Sequence, residues 1–166
     1  MLEHQEKLKN RQDQGRNWWN LRPCKYYEDF NKPKLIYIYT AKNHCFYYDT
    51  EGHYINNSAY MIVTEKVFLS AFLNSKLFDW FKRIKFVAYG DAEDKGRVKL
   101  DYNKMETVPI KNISEEAQKP FETLVNQVLS DKNAGKDTTF LEAEIDCLVY
   151  ALYELTEAEI AVVEGK

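Results

Sequence analysis

The spacing of apolar residues changes character along this chain, and that change limits the folds open to it. Across Lys34–Thr40 (KLIYIYT) the side chains alternate, with Leu35, Tyr37 and Tyr39 on one face and Ile36 and Ile38 on the other. A period of two in β-branched and aromatic residues belongs to a half-buried strand. Much later, Leu141, Ile145, Leu148, Leu152 and Leu155 step by four, three, four and three. That is the seam of a helix packed on another helix. Strands gathered early and helices late point to an α+β fold.

The intermediate segments fill in this outline. Cys45–Asp49, His53–Asn56 and Ala59–Val63 read as further strands, joined by Asp49-Thr50-Glu51-Gly52 and Asn56-Asn57-Ser58 turns. Thr64 is placed to cap a helix running to about Lys82, whose apolar residues recur at threes and fours and cover the sheet. Phe86–Tyr89 and Arg97–Asp101 are strand candidates on either side of a charged loop, Gly90–Gly96. Pro120 argues for a helix whose regular part starts near Gln118. Asp131–Asp137 then turns into the leucine-seamed helix. Thr156 and Glu159 form a T-x-x-E capping box for a short last helix, Glu157–Val163. The expected architecture is a small, mostly antiparallel twisted sheet with a covering helix, followed by a C-terminal antiparallel helical hairpin.

Composition excludes several classes. No run of about 18 uncharged apolar residues exists, so no membrane span is expected, and the N-terminus lacks the apolar stretch of a secretory signal. The three cysteines (Cys24, Cys45, Cys147) form neither a disulfide framework nor a CxxC site, which fits a reducing cytoplasm. Charge is uneven. Residues 1–112 carry 19 Lys and Arg against 14 Asp and Glu, a net +5; residues 113–166 carry 4 against 12, a net −8. A basic body suits an anionic partner, and an acidic tail does not. An ordinary solvated surface accounts for the same counts.

No catalytic constellation emerges. The phosphate-cradling patterns G-x-G-x-x-G and G-x-x-x-x-G-K-[ST] are missing, as is G-x-S-x-G. His44 and His53 flank one hairpin, but only Cys45, Asp49 and Glu51 stand near them as further ligands, too little for a zinc site. Asp91, Glu93 and Asp94 are nearly consecutive in a Gly-bounded loop, where rigid support for a metal is lacking. What remains is a binding surface. Lys82, Arg83, Lys85, Lys95, Arg97 and Lys99 flank the charged loop, and Lys42, Asn43 and His44 lie at a hairpin tip. Lysine and arginine suit phosphates, while Asn, Arg and His can form paired hydrogen bonds to base edges. The 12 Tyr, 9 Phe and 3 Trp, most of them before Tyr102, suit either a sheet or a contact surface.

The order of features resembles a known family. W-N-L-R (19–22), K-P-K-L-I-Y-I-Y (32–39), F-Y-Y-D-T-E-G-H-Y (46–54), Y-M-I-V (60–63), L-S-A-F-L-N-S-K-L (69–77) and V-P-I (108–110) come in sequence, followed by I-D-C-L-V-Y-A-L-Y-E-L-T-E-A-E-I (145–160). This is similar to the TaqI-like C-terminal specificity domain of Eco57I-type, or type IIG, restriction–modification enzymes. The resemblance implies a DNA target-recognition module that is not catalytic by itself. It also implies that residues 1–16 connect to an upstream adenine-N6 methyltransferase domain, where S-adenosylmethionine would bind and a nuclease could be attached. This chain shows no N-P-P-Y motif and no cofactor loop, so no cofactor is expected here. Residues 17–112 would be the recognition body and residues 113–166 a spacer or a surface for the catalytic part. Leu73, Leu77, Ile145, Leu148 and Leu152 are then expected in the core.

Double-stranded DNA is thus the expected partner, bound through Lys42, Asn43, His44, Lys82, Arg83, Lys85, Lys95, Arg97 and Lys99. The rival reading is a protein-interaction module that docks through the helical hairpin. A free-standing enzyme ranks last.

Overall fold

A computed structural model of the 166-residue chain describes residues 2–12, 15–20, 25–43, 45–86, 88–89 and 96–166. The fold is α+β. Strand β1 (Lys34–Ile38) lies at the centre of a three-stranded antiparallel sheet, between β3 (Tyr47–Asp49) and β4 (Ala59–Val63). A second antiparallel sheet has the order β2-β6-β5, made of Thr40–Ala41, Arg97–Lys99 and Ala88–Tyr89. The expected single sheet is therefore two.

The cause lies at Tyr39, between β1 and β2. Its amide donates to the Ser58 carbonyl at 3.0 Å, extending the β1–β4 ladder, while its own carbonyl accepts from the Leu100 amide at 2.9 Å. One continuous segment thus leaves the first sheet and enters the second. The alternation read across Lys34–Thr40 holds: Leu35 and Tyr37 are buried and Ile38 is exposed.

Residues His53–Asn56 form no strand. The His53 amide donates to the Asp49 carboxylate at 3.0 Å instead of to a neighbouring strand, and Gly52 holds φ at +80°, a conformation glycine adopts without strain.

The covering helix also departs from expectation. Thr64 starts no helix: its amide donates to Pro33 at 3.0 Å and its hydroxyl accepts the Lys66 amide at 3.1 Å, closing a turn. The helix is split into α2 (Phe68–Asn74) and α3 (Lys76–Lys85), after a short α1 (Gln5–Lys9) near the N-terminus. Ser75 makes the break. Its backbone is extended, its hydroxyl donates to the Phe72 carbonyl at 2.7 Å, and the same oxygen caps α3 by accepting from the Phe78 amide at 3.3 Å. Asn74 pairs both ways with Phe46: its carbonyl oxygen accepts the Phe46 amide at 2.9 Å and its NH2 donates to the Phe46 carbonyl at 3.0 Å. The L-N-S segment is therefore a joint between helix and sheet.

Helix α4 (Tyr102–Met105) is a single turn capped by Asp101. Helix α5 (Glu115–Asn133) begins earlier than Pro120 implied, because Ser114 caps it by accepting the Ala117 amide. Pro120 sits in the second turn on the exposed side, where its missing N–H leaves only the carbonyl of exposed Glu116 to water. Helix α6 (Thr139–Leu152) runs back along α5. Helix α7 (Glu157–Glu164) follows with the full capping box between Thr156 and Glu159.

One core joins sheets and helices, including Leu35, Phe46, Phe72, Phe78, Leu100, Phe121, Ile145 and Val149. Leu73 and Leu77 are buried, and Leu148 and Leu152 pack half-buried against the same cluster. Two polar ties lock the hairpin to the rest. Asp146, buried in α6, accepts the first amide of α3 (Lys76) at 2.8 Å, so a carboxylate satisfies an orphan donor at a helix N-terminus. Tyr153 donates its hydroxyl to the Pro109 carbonyl at 2.8 Å and accepts the Lys111 amide at 3.2 Å, while the Lys111 ammonium donates to the Leu152 carbonyl at 2.7 Å.

At the start of β1, Lys34 and Asp49 form a wholly buried ion pair, and Lys34 also donates to the Phe30 carbonyl at 2.6 Å. Burial alone would raise the Asp49 carboxyl. Hydrogen bonds from Lys34, His53 and the amides of Glu51 and His53 outweigh it and hold its pKa at about 2. A depressed folded-state value stabilises the protein above the unfolded value, and that stabilisation is lost as pH falls. Asp49 thus contributes fully above pH 3.8, its ordinary value, and loses its contribution on the way down to about 2. Asp49→Asn should lower stability by about 3–5 kcal/mol, because it strands a buried ammonium. In denaturant titrations it should also flatten the loss of stability between those two pH values. A variant as stable as the parent would refute the assignment.

Candidate nucleic-acid interface

The second sheet gathers residues that stand far apart in the chain. Pairing of Thr40 with Lys99 and of Ala41 with Val98 sets the end of β2 against β6. Lys42 and Asn43, both exposed, follow directly on Ala41, and exposed Arg97 is the next residue of β6 beyond Val98. Val98 is buried, so Arg97 and Lys99 occupy the opposite, outward face of the strand.

Aromatic rings continue this face into the first sheet. The Lys99 ammonium lies 5.0 Å from the centre of the Tyr39 ring, a cation–π contact. The Tyr39 ring lies 5.2 Å from that of partly exposed Tyr60 on β4, which packs 5.9 Å from Tyr37 inside the core. Burial pushes the Tyr37 hydroxyl up to about 12, so it remains a neutral hydrogen-bonding group. The face thus combines cations, an exposed carboxamide and tyrosine hydroxyls around the strand that joins the sheets. These are donors for phosphate oxygens and base edges, and none is a nucleophile activated by a neighbouring base. Tyr39 and Tyr60 border this candidate face although their sequence context does not single them out; aromatic residues in strands read equally well as sheet propensity.

The other expected residues divide. Lys85 is exposed at the end of α3, three residues before β5. Lys82 is a correction: it is only 2% exposed, and its ammonium lies 2.5 Å from Asp79. Burial lowers its pKa, opposed by the hydrogen bond to Asp79. Arg83 is half-buried and bonds the same carboxylate, Nε to Oδ2 at 2.8 Å. For Asp79, burial raises the pKa, but Arg83 and Lys82 together bring it below the usual range. The D-x-x-K-R spacing, three and four residues along one helix face, carried this signal. Lys82 and Arg83 are structural partners of Asp79 and leave the exposed set. His44 and Lys95 lie outside the described residues, as do residues 90–94 of the charged loop.

Among the described residues, no group of three His, Cys, Asp or Glu side chains is placed to hold a metal ion. No helix among the described residues is long and apolar enough to cross a membrane.

The difference between Lys82 and Lys85 is measurable. Lys82→Ala removes a buried hydrogen-bonded stem and should cost about 2 kcal/mol of stability. Lys85→Ala, at an exposed position, should stay within about 0.5 kcal/mol of the parent. Equal thermal midpoints for the two variants would contradict the burial of Lys82.

The model of a family described as the TaqI-like C-terminal specificity domain matches residues 3–110, which include both sheets. No curated protein matches the chain.

Proposed function

Because this chain belongs to the TaqI-like C-terminal specificity domain family, we propose that its second sheet reads a DNA sequence for the adenine-N6 methyltransferase of a type IIG restriction–modification enzyme. Residues 17–112 are the target-recognition body in this reading, and residues 113–166 form a spacer that the duplex does not touch. Residues 1–16 lead from the methyltransferase domain of the same polypeptide. That domain holds S-adenosylmethionine and carries out the transfer, in the cytoplasm. This chain contributes recognition and no bond-making.

The observation that carries the reading is the pairing of β2 with β6, which brings Lys42 and Asn43, the exposed residues directly after Ala41, next to the strand that carries Arg97 and Lys99 on its outward face. The major groove of a duplex admits a pair of β-strands, and β2 with its neighbour β6 forms one edge of the second sheet. Arginine there pairs with the O6 and N7 of guanine, and asparagine with the N6 and N7 of adenine. Lys42, Lys85 and Lys99 suit phosphates, whose neutralisation releases counterions. His44 and Lys95 belong to the same stretches of sequence and complete the proposed set. The acidic C-terminal part, net −8, is repelled by the same backbone.

Incubation of the chain with random duplexes, followed by sequencing of those retained, should enrich one short motif. The logarithm of the affinity should fall with the logarithm of salt concentration by about 0.9 per phosphate neutralised. Arg97→Ala should relax one position of the motif, worth about 1–3 kcal/mol. Lys85→Ala should leave the motif intact and reduce the salt slope by about one. A failure to enrich any motif, or binding indifferent to salt, would rule out the assignment.

A further inference from the structure

The hairpin of α5 and α6 keeps an open apolar groove between its two helices. Its volume is about 680 Å³, and its walls include Pro120 and Leu124 from α5 and Phe140, Ala143, Cys147 and Leu148 from α6. Phe140 is 74% exposed, the most exposed large apolar side chain among the described residues. The Cys147 thiol is also open to solvent. A contiguous apolar surface of this kind lowers solubility and marks an interaction site. Its shape, a trough between two antiparallel helices, suits a third helix laid along it with anchors at every third or fourth residue.

Charge selects the occupant. From Asp137 to Gly165 the chain has eight acidic residues and no Lys, Arg or His. Several of these carboxylates are committed elsewhere: Glu142 pairs with Lys132 at 2.7 Å, Asp146 bonds the Lys76 amide, and Glu159 belongs to the capping box. Glu144, by contrast, lines the groove, is exposed and forms no ion pair among the described residues. Glu116, one turn before Pro120, is another exposed carboxylate on α5; of the nearby cations, Lys132 is engaged by Glu142, and Lys119 precedes Pro120 in the chain. A nucleic acid is repelled by this wall. A second copy of the hairpin would set acidic helix against acidic helix.

We propose that the groove between α5 and α6 is a docking site for a protein helix with an apolar stripe flanked by Lys or Arg. The stripe covers Phe140, Leu124 and Leu148, and a flanking cation pairs with Glu144. The site is separate from the basic face of the second sheet and does not depend on how that face reads DNA.

The full chain with Cys24→Ser and Cys45→Ser keeps Cys147 as its one thiol, which reports directly on the groove. The probe is a synthetic amphipathic Leu/Lys helix of about 18 residues, some 27 Å long, with a Leu/Glu helix of equal length as the control. The Leu/Lys helix should bind and slow modification of Cys147 by a disulfide reagent about tenfold, whereas the Leu/Glu helix should do neither. Phe140→Ala and Glu144→Lys are at exposed positions and leave the thermal midpoint unchanged. Each should weaken binding of the Leu/Lys helix by roughly tenfold, which is about 1.4 kcal/mol. Equal binding of both probes, binding that leaves Cys147 reactive, or a chain that dimerises through Phe140 in place of binding the probe would each overturn the proposal.

Discussion

The backbone of Tyr39 takes part in two sheets at once, through its amide to Ser58 and its carbonyl to Leu100. Everything proposed for the basic face depends on that double engagement. Without the change of partner, Lys42 and Asn43 would extend the first sheet and lie far from Arg97 and Lys99. With it, residues about 55 positions apart become neighbours in register. The ring of Tyr39 reinforces the junction by lying beneath the Lys99 ammonium and against Tyr60.

The sequence segments that carry the resemblance to the TaqI-like family turn out to be structural joints, both within the matched residues 3–110 and in the helices that follow them. Asn74 and Ser75 divide the covering helix and bind it to Phe46. Asp146 completes the N-terminus of α3, and Tyr153 holds the segment that carries Pro109. The residues proposed to touch DNA fall outside these joints, on β6, at the end of α3 and after β2. Such a division lets one scaffold present different reading residues, since hydrogen bonds to phosphates and bases make no demand on the joints themselves.

Legibility followed the range of the interactions. The central strand, the paired helices and the capping box at Thr156 could be read because each rests on residues within a turn or two of one another. The split at Ser75 was hidden by an unbroken helical period from Val67 to Phe81; the break shows only in the extended backbone of Ser75 and in the bonds that tie Asn74, the last residue of α2, to Phe46. Lys34 reads as an ordinary strand-end cation until Asp49 is brought opposite it. Lys82 was misjudged because a count of basic residues ignores the carboxylate three positions earlier. The basic face itself was half legible: Lys42, Asn43, Arg97 and Lys99 were singled out by type, but only the β2–β6 register brings them together.

The grip of Tyr153 on Pro109 and Lys111 has a mechanical consequence. It ties the segment that leaves the second sheet to the end of α6, so bending the hairpin away from the strands would first have to break these bonds.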